Sequence, residues 1–198
     1  MNFLAHLYLS GDDPKIMVGN FIADFVKGKN ALAQYEEAIA FGIELHRSID
    51  EFTDRHAIVK ESKQRLKVKY RHYSGVIVDM FYDHFLASNW DEFHPMKLDV
   101  FSSYAYGILQ EHNTILPERV NWMLPYMIDG NWLVGYGSIH GIGRALSGMS
   151  KRTPFESRMD EATDDLREHY PQFKEEFMKF FPELKAFSAG MIAARRAR

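Results

Sequence analysis

The stretch Phe41-Gly-Ile-Glu-Leu-His-Arg-Ser-Ile-Asp-Glu-Phe-Thr-Asp54 sets His46 and Asp50 four residues apart, on or beside a stripe with Ile39, Ile43, Ile49 and Phe52. That spacing predicts a helix in which the imidazole and the carboxylate sit one above the other, about 6 Å apart at Cβ. The apolar stripe turns the pair toward the interior. An inward His/Asp pair is either half of a metal site or a hydrogen-bonded polar pair.

A second stretch, Val76-Ile-Val-Asp-Met-Phe-Tyr-Asp-His-Phe-Leu86, repeats the spacing with Asp79 and Asp83, and His84 adjoins them. It is apolar on most sides, so two carboxylates within it need a partner, because an unpaired buried charge is very costly. A third, Gly19-Asn-Phe-Ile-Ala-Asp-Phe-Val26, carries Asn20 and Asp24 in the same way. Strict apolar/polar alternation is nearly absent and spacings of three and four dominate, which predicts an all-α fold.

Working outward, a short helix is expected over residues 2–9, with His6 alone in an apolar setting. Asp12-Asp13-Pro14 reads as a capped helix start, and Lys27-Gly28 as that helix's end. Asn30 is placed to cap the next helix, to about Thr53. Helices are predicted over 57–70, over 76–89 after a break at Ser74-Gly75, and over 97–113 after Pro95. Pro117 opens another, interrupted at Pro125 and ending near Gly130. Gly135 and Gly137 read as a loop before a helix over 138–149. Amphipathic segments follow over 156–180, bent at Pro171, and the tail ends in Arg195, Arg196 and Arg198. There is no repeat and no linker, so residues 1–198 read as one globular multi-helix domain.

The chain has 198 residues, 46% hydrophobic and 14% aromatic, which suits a packed globule. It contains no cysteine, which excludes a disulfide framework, a thiolate zinc site and a thiol nucleophile. No signal peptide or membrane-length apolar run is evident, so a soluble, cytoplasmic protein is expected. With a net charge of −3, nothing global points to nucleic acid. Locally, Arg55, Lys60, Lys63, Arg65, Lys67, Lys69 and Arg71 face one acid, Glu61, which reads as a solvated face or a docking surface for an acidic partner.

Asp24, His46, Asp50, Asp79, Asp83 and His84 together offer nitrogen and oxygen but no sulfur, which suits Mn²⁺, Fe²⁺, Mg²⁺ or Zn²⁺. The alternative is a buried hydrogen-bonded network joining three helices. Arg47 and Lys27 are placed to bind a phosphate or to serve as surface charges. His6 and Asn20 read as core polar residues or as substrate contacts. The glycines around His140 make no phosphate-binding fingerprint, since no strand precedes them. Phe101, Tyr104, Tyr106, Trp122, Tyr126, Trp132 and Tyr136 read as core, some of them lining a groove for a substrate arm.

At Met1-Asn-Phe-Leu-Ala-His-Leu, Gly19-Asn-Phe-Ile-Ala-Asp-Phe-Val-Lys-Gly28, His46-Arg-Ser-Ile-Asp50 and Asp83-His-Phe-Leu86 the chain resembles the acyl carrier protein phosphodiesterases. Trp90, Asn131-Trp-Leu-Val, Leu146-Ser-Gly-Met and His169-Tyr extend the resemblance over nearly the whole chain. It implies an all-helical, HD-domain-like hydrolase that uses a divalent metal, Mn²⁺ foremost, to remove 4′-phosphopantetheine from holo-acyl carrier protein. Asp24, His46, Asp50, Asp83 and His84 are the active-site residues it implies. Arg47 would offset charge at phosphorus, and acidic carrier protein would dock on Lys63, Lys67 and Lys69. The His46-x-x-x-Asp50 spacing and the order Asp83-His84 depart from the usual HD pattern. The competing readings are a metal phosphohydrolase acting on a small nucleotide or phosphodiester, and a non-catalytic helical module that binds an acidic protein.

Overall fold

Asp13 starts the long part of the fold: its carboxylate accepts the backbone N–H groups of Lys15 and Ile16 at 2.9 and 3.4 Å, and Pro14 occupies the first helical position. The computed structural model describes residues 1–197, except the side chains of Lys29 and Asn30. The described residues form helices and no strand. In order they are α1 (Phe3–Tyr8), α2 (Pro14–Ile22), α3 (Glu37–Arg55), α4 (Ala57–Tyr70), α5 (Ser74–Ser88), α6 (Trp90–Phe93), α7 (Leu98–Glu111), α8 (Glu118–Asp129), α9 (Trp132–Gly135), α10 (Ile139–Ser150), α11 (Ala162–Glu168) and α12 (Tyr170–Arg196).

The all-α expectation holds, and the differences lie at boundaries. Residues 29–34 form a separate 3₁₀ turn, so α3 begins at Glu37, and the capping role expected of Asn30 lies outside the described side chains. Ser74 and Gly75 open α5; the break before them is made at Arg71, whose φ of 49° leaves the helical region. Pro125 does not interrupt α8, and Pro182 sits within α12. Both prolines are exposed, where water can serve the carbonyl that each leaves unpaired. Pro171 opens α12 instead of bending it, as a proline in the first helical turn loses no hydrogen bond.

α5 is the hub. Its Ile77, Val78, Met80, Phe81, Tyr82, Phe85 and Leu86 are completely buried, as the apolar run requires. It packs on α1, α4, α10 and α12, and α12 answers with the buried Phe173, Phe177, Phe180 and Phe181. Among the described residues, no helix is long and apolar enough to cross a membrane.

The contact that positions the site is the crossing of α2 over α3. Gly19 and Gly42 face each other there: a Cβ on Gly19 would stand 2.9 Å from the Gly42 Cα and collide with the Ile39 carbonyl oxygen, and one on Gly42 would collide with the Ile16 carbonyl oxygen. Two glycines therefore let the backbones meet, with Asn20 one residue and His46 one turn beyond the crossing.

Candidate metal centre and active site

His46 leaves α3 toward α2, and its Nδ1 lies 2.8 Å from the Asn20 carbonyl oxygen. A carbonyl only accepts, so Nδ1 carries a proton and Nε2 points onward into the site. There it meets Asp50 Oδ2 at 3.1 Å and Asp24 Oδ1 at 3.3 Å. The four-residue pairing of His46 with Asp50 is as the spacing predicts, and Asp24 reaches it from the 3₁₀ turn that follows α2.

His6 is held in the same manner. The Asn20 amide nitrogen donates to the His6 carbonyl oxygen at 2.8 Å and to Ser10 Oγ at 3.0 Å, so its amide oxygen faces His6 Nδ1, 2.8 Å away. Nδ1 therefore donates, and Nε2 is left with a lone pair. That buried Nε2 has no hydrogen-bond partner, although Asp50 Oδ1 lies only 3.3 Å from it. The two imidazoles stack with centroids 3.8 Å apart and planes inclined by 16°. The result is a trio, His6, His46 and Asp50, whose ligand atoms all lie within 4.8 Å of one another.

Two imidazole nitrogens facing carboxylate oxygens draw a cation between them, either a proton on His46 Nε2 or a metal ion. The electrostatics describe the site with the proton in that place. Burial disfavours a charged His46, but Asp24 and Asp50 outweigh it and raise its pKa to about 9. Burial, with His46 alongside, pushes His6 down toward the neutral form that binds metals. Burial would raise the Asp50 carboxyl, yet the two imidazoles and the Met1 amino nitrogen hold it far below the usual carboxylate range. The hydrogen bond from His46 holds Asp24 low as well. Two Nε2 atoms with anchored Nδ1 partners, plus a carboxylate, are a donor set that fits a divalent ion without sulfur. Asp24 is 67% exposed at the mouth, where it reaches solvent and any substrate.

The remaining predicted residues separate. Asp79 lines the inner edge, its Oδ1 3.0 Å from the Met1 amino nitrogen, which also stands 3.7 Å from Asp50. Asp83 is fully buried and accepts the backbone N–H groups of Asn2, Leu4 and Ala5 at 3.2, 2.8 and 3.3 Å, so it holds the start of α1. His84 points to another side of α5, where its nitrogens meet the Tyr136 carbonyl oxygen at 2.8 Å and the Tyr170 hydroxyl at 3.1 Å. Adjacent helical residues diverge by about 100°, and so Asp83-His84 does not converge on one point.

Arg47 and Lys27 are exposed beside the mouth, with Arg47 donating to the Val26 carbonyl at 3.2 Å. On α4, Lys63 pairs with Asp54 at 2.6 Å, and Lys69 with Asp165 at 2.8 Å and Glu161 at 3.3 Å. Arg65 grips Glu176 through two nitrogens at 2.8 and 2.6 Å. Much of the basic charge predicted to face an acidic partner is thus matched by the chain's own acids, while Lys67 stays exposed. His6 is the member of the trio that sequence reasoning did not set among the candidate ligands. Its neighbours at helical spacing, Asn2 and Ser10, are not ligand types, and its partner Asp50 is forty-four positions away, so only its place in the Met1–Leu7 segment that carries the family resemblance marked it.

Residues 1–184 match the family model described as acyl carrier protein phosphodiesterase. The chain is 34% identical over 183 residues to the acyl carrier protein phosphodiesterase of Photorhabdus laumondii, covering 92% of each. It is 36% identical over 188 residues to that of Klebsiella pneumoniae strain 342, covering 93% of this chain and 95% of the relative. The figure for that of Yersinia enterocolitica is 33% over 185 residues, with the same coverage. No solved structure matches the chain, so the HD-domain likeness implied by the sequence gains no support from a structural relative. A match of this extent, over residues 1–184 and at about a third identity along nearly the full chain, places the chain in the acyl carrier protein phosphodiesterase family.

Proposed function

We propose that the protein hydrolyses the phosphodiester joining 4′-phosphopantetheine to acyl carrier protein, with a divalent ion, Mn²⁺ foremost, held by His6 Nε2, His46 Nε2 and Asp50. The observation that carries the ion is the pair of anchored imidazoles aiming their Nε2 atoms at one carboxylate. The relatives' names supply the substrate. Such an ion, when bound, polarises a phosphoryl oxygen and acidifies water.

The chain's own groups do the rest. Asp24, exposed and 3.3 Å from His46 Nε2, is the carboxylate that takes the proton of the attacking water. Arg47 and Lys27 supply positive charge where negative charge grows on the phosphoryl oxygens. A bond forms between the water oxygen and phosphorus, and the bond from phosphorus to the carrier protein's serine oxygen breaks. That oxygen takes a proton from solvent water and leaves as the serine hydroxyl, and Asp24 returns the proton it took to solvent. Asn20 keeps both imidazoles in the tautomer the site requires, through its side chain to His6 and its carbonyl to His46.

The test is the intact mass of holo-acyl carrier protein incubated with this protein and Mn²⁺, with and without EDTA. Loss of one phosphopantetheine, abolished by EDTA and by His46→Ala or Asp24→Ala in variants that keep their helical spectrum, is the expected result. No loss with any of several divalent ions, from folded protein, would overturn the proposal.

A further inference from the structure

Trp122 and Tyr126 were expected in the core, yet they stand 65% and 57% exposed on α8 with their rings in contact, centroids 5.3 Å apart. With Arg119 they fall at i, i+3 and i+7, one face of the helix. The residues α8 buries, Val120, Leu124 and Met127, lie on a different face, so Trp122 and Tyr126 are left largely in solvent. It is also continuous with the mouth of the site. The Arg119 guanidinium lies over the Phe25 ring, 5.8 Å from its centroid, and Phe25 adjoins Asp24. Arg119, Lys27 and Arg47 form no ion pair among the described residues; at α4, Lys63, Arg65 and Lys69 each have a carboxylate of their own, and Lys60, Lys67 and Arg71 do not.

We infer that the stripe Arg119-Trp122-Tyr126 of α8, with Phe25 and Lys27, is the surface on which the acidic carrier protein seats, in place of the basic face of α4. This rests on the function proposed above. Exposed Trp, Tyr and Arg in one cluster are the residue types that dominate binding energy at protein interfaces. Unpaired positive charge next to the mouth complements an acidic partner and its phosphate, and speeds encounter. The geometry delivers the arm directly: a partner resting on α8 and Phe25 presents its attachment point at Asp24, one residue away. On α4 the exposed bases Lys60 and Lys67 stand beside Lys63, Arg65 and Lys69, whose charge is already matched by Asp54, Glu176 and Asp165, with no exposed aromatic cluster among them.

The experiment measures binding of fluorescently labelled apo-acyl carrier protein by anisotropy, alongside KM and kcat on the holo form. The variants are Trp122→Ala/Tyr126→Ala, Arg119→Glu, and Lys60→Glu/Lys67→Glu on α4. The expected result is binding weakened about tenfold or more by each α8 change, mostly in KM, and by less than about twofold by the α4 change. Their melting temperatures should match the wild type, as the altered side chains are exposed. Unchanged binding in the α8 variants, or a larger loss in the α4 variant, would overturn the inference. If wild-type protein binds the carrier without hydrolysing it, the function proposal fails while the docking surface is still decided by the variants. If it neither binds nor hydrolyses, both fall.

Discussion

The Asn20 side chain and the His6 ring form a closed unit: the Asn20 amide nitrogen holds the His6 carbonyl at 2.8 Å, and its amide oxygen holds His6 Nδ1 at 2.8 Å. One asparagine thereby fixes both the position and the tautomer of a proposed ligand. Asn20→Ala removes the ring's anchor but leaves the backbone carbonyl that orients His46. Mn²⁺ affinity, measured by titration calorimetry, should fall about 10- to 100-fold, the usual effect of losing an outer hydrogen bond to a ligating histidine. Affinity equal to wild type would mean that the anchor is not used.

Gly19→Ala should be severe for so small a change. The added methyl meets the Ile39 carbonyl and the Gly42 backbone, neither of which is a side chain that can swing away. Forcing the helices apart costs on the order of 1–3 kcal/mol, as overpacking does, and draws the Asn20 carbonyl off His46. Gly190→Ala is the control: nothing lies within 4 Å of its Cβ position in α12, so it should be neutral or stabilising by roughly 0.5–1 kcal/mol. Urea midpoints of the two variants would separate the effects.

His84→Ala tests the division of the predicted ligand set. It strips partners from the Tyr136 carbonyl and the Tyr170 hydroxyl, a loss of about 1–3 kcal/mol in stability. Mn²⁺ affinity should stay within about twofold of wild type. A large loss of affinity in a folded variant would bring His84 back among the ligands.

Asp83 gives a pH signature. Burial, only partly offset by the Met1 amino group and the N–H groups of α1, raises its pKa from 3.8 to about 7. The native state then holds this proton over a range where the unfolded chain has lost it. The stabilising contribution is complete below pH 3.8 and is lost as pH rises through about 7. Its ceiling is roughly 4 kcal/mol, at about 1.4 kcal/mol per unit. Measured by urea unfolding, the stability of wild type relative to Asp83→Asn should therefore decline across that window. Parallel pH profiles would show that Asp83 ionises normally.

Most helices could be read from the sequence because their apolar spacing is a local property. The His46–Asp50 pair was legible for the same reason, since both sit on one helix face. What could not be read depends on contacts between distant segments. The His6 Nε2 meets Asp50 only because α1 and α2 lie against α3, and no spacing rule reports that. Asp83 and His84 look like a motif, yet adjacent side chains on a buried helix face different neighbours. The basic look of α4 ignores Glu176 and Asp165, about a hundred residues on, which neutralise Arg65 and Lys69. Trp122 and Tyr126 look like core residues to any count of apolar content, and only the packing of α8 turns them outward.

The glycine crossing of α2 and α3 also bears on the order in which the molecule assembles. His6, Asn20, Asp24, His46 and Asp50 all belong to the first fifty residues, and the helices that carry them are consecutive, α1, α2 and α3. Contacts this close in sequence form fast, because little loop entropy is lost in closing them. The arrangement of these five side chains can therefore be laid down as soon as α3 leaves the ribosome. α5 and α12, which pack on α1 and α3, arrive later. The first quarter of the chain draws the site, and the later helices brace the ones that carry it.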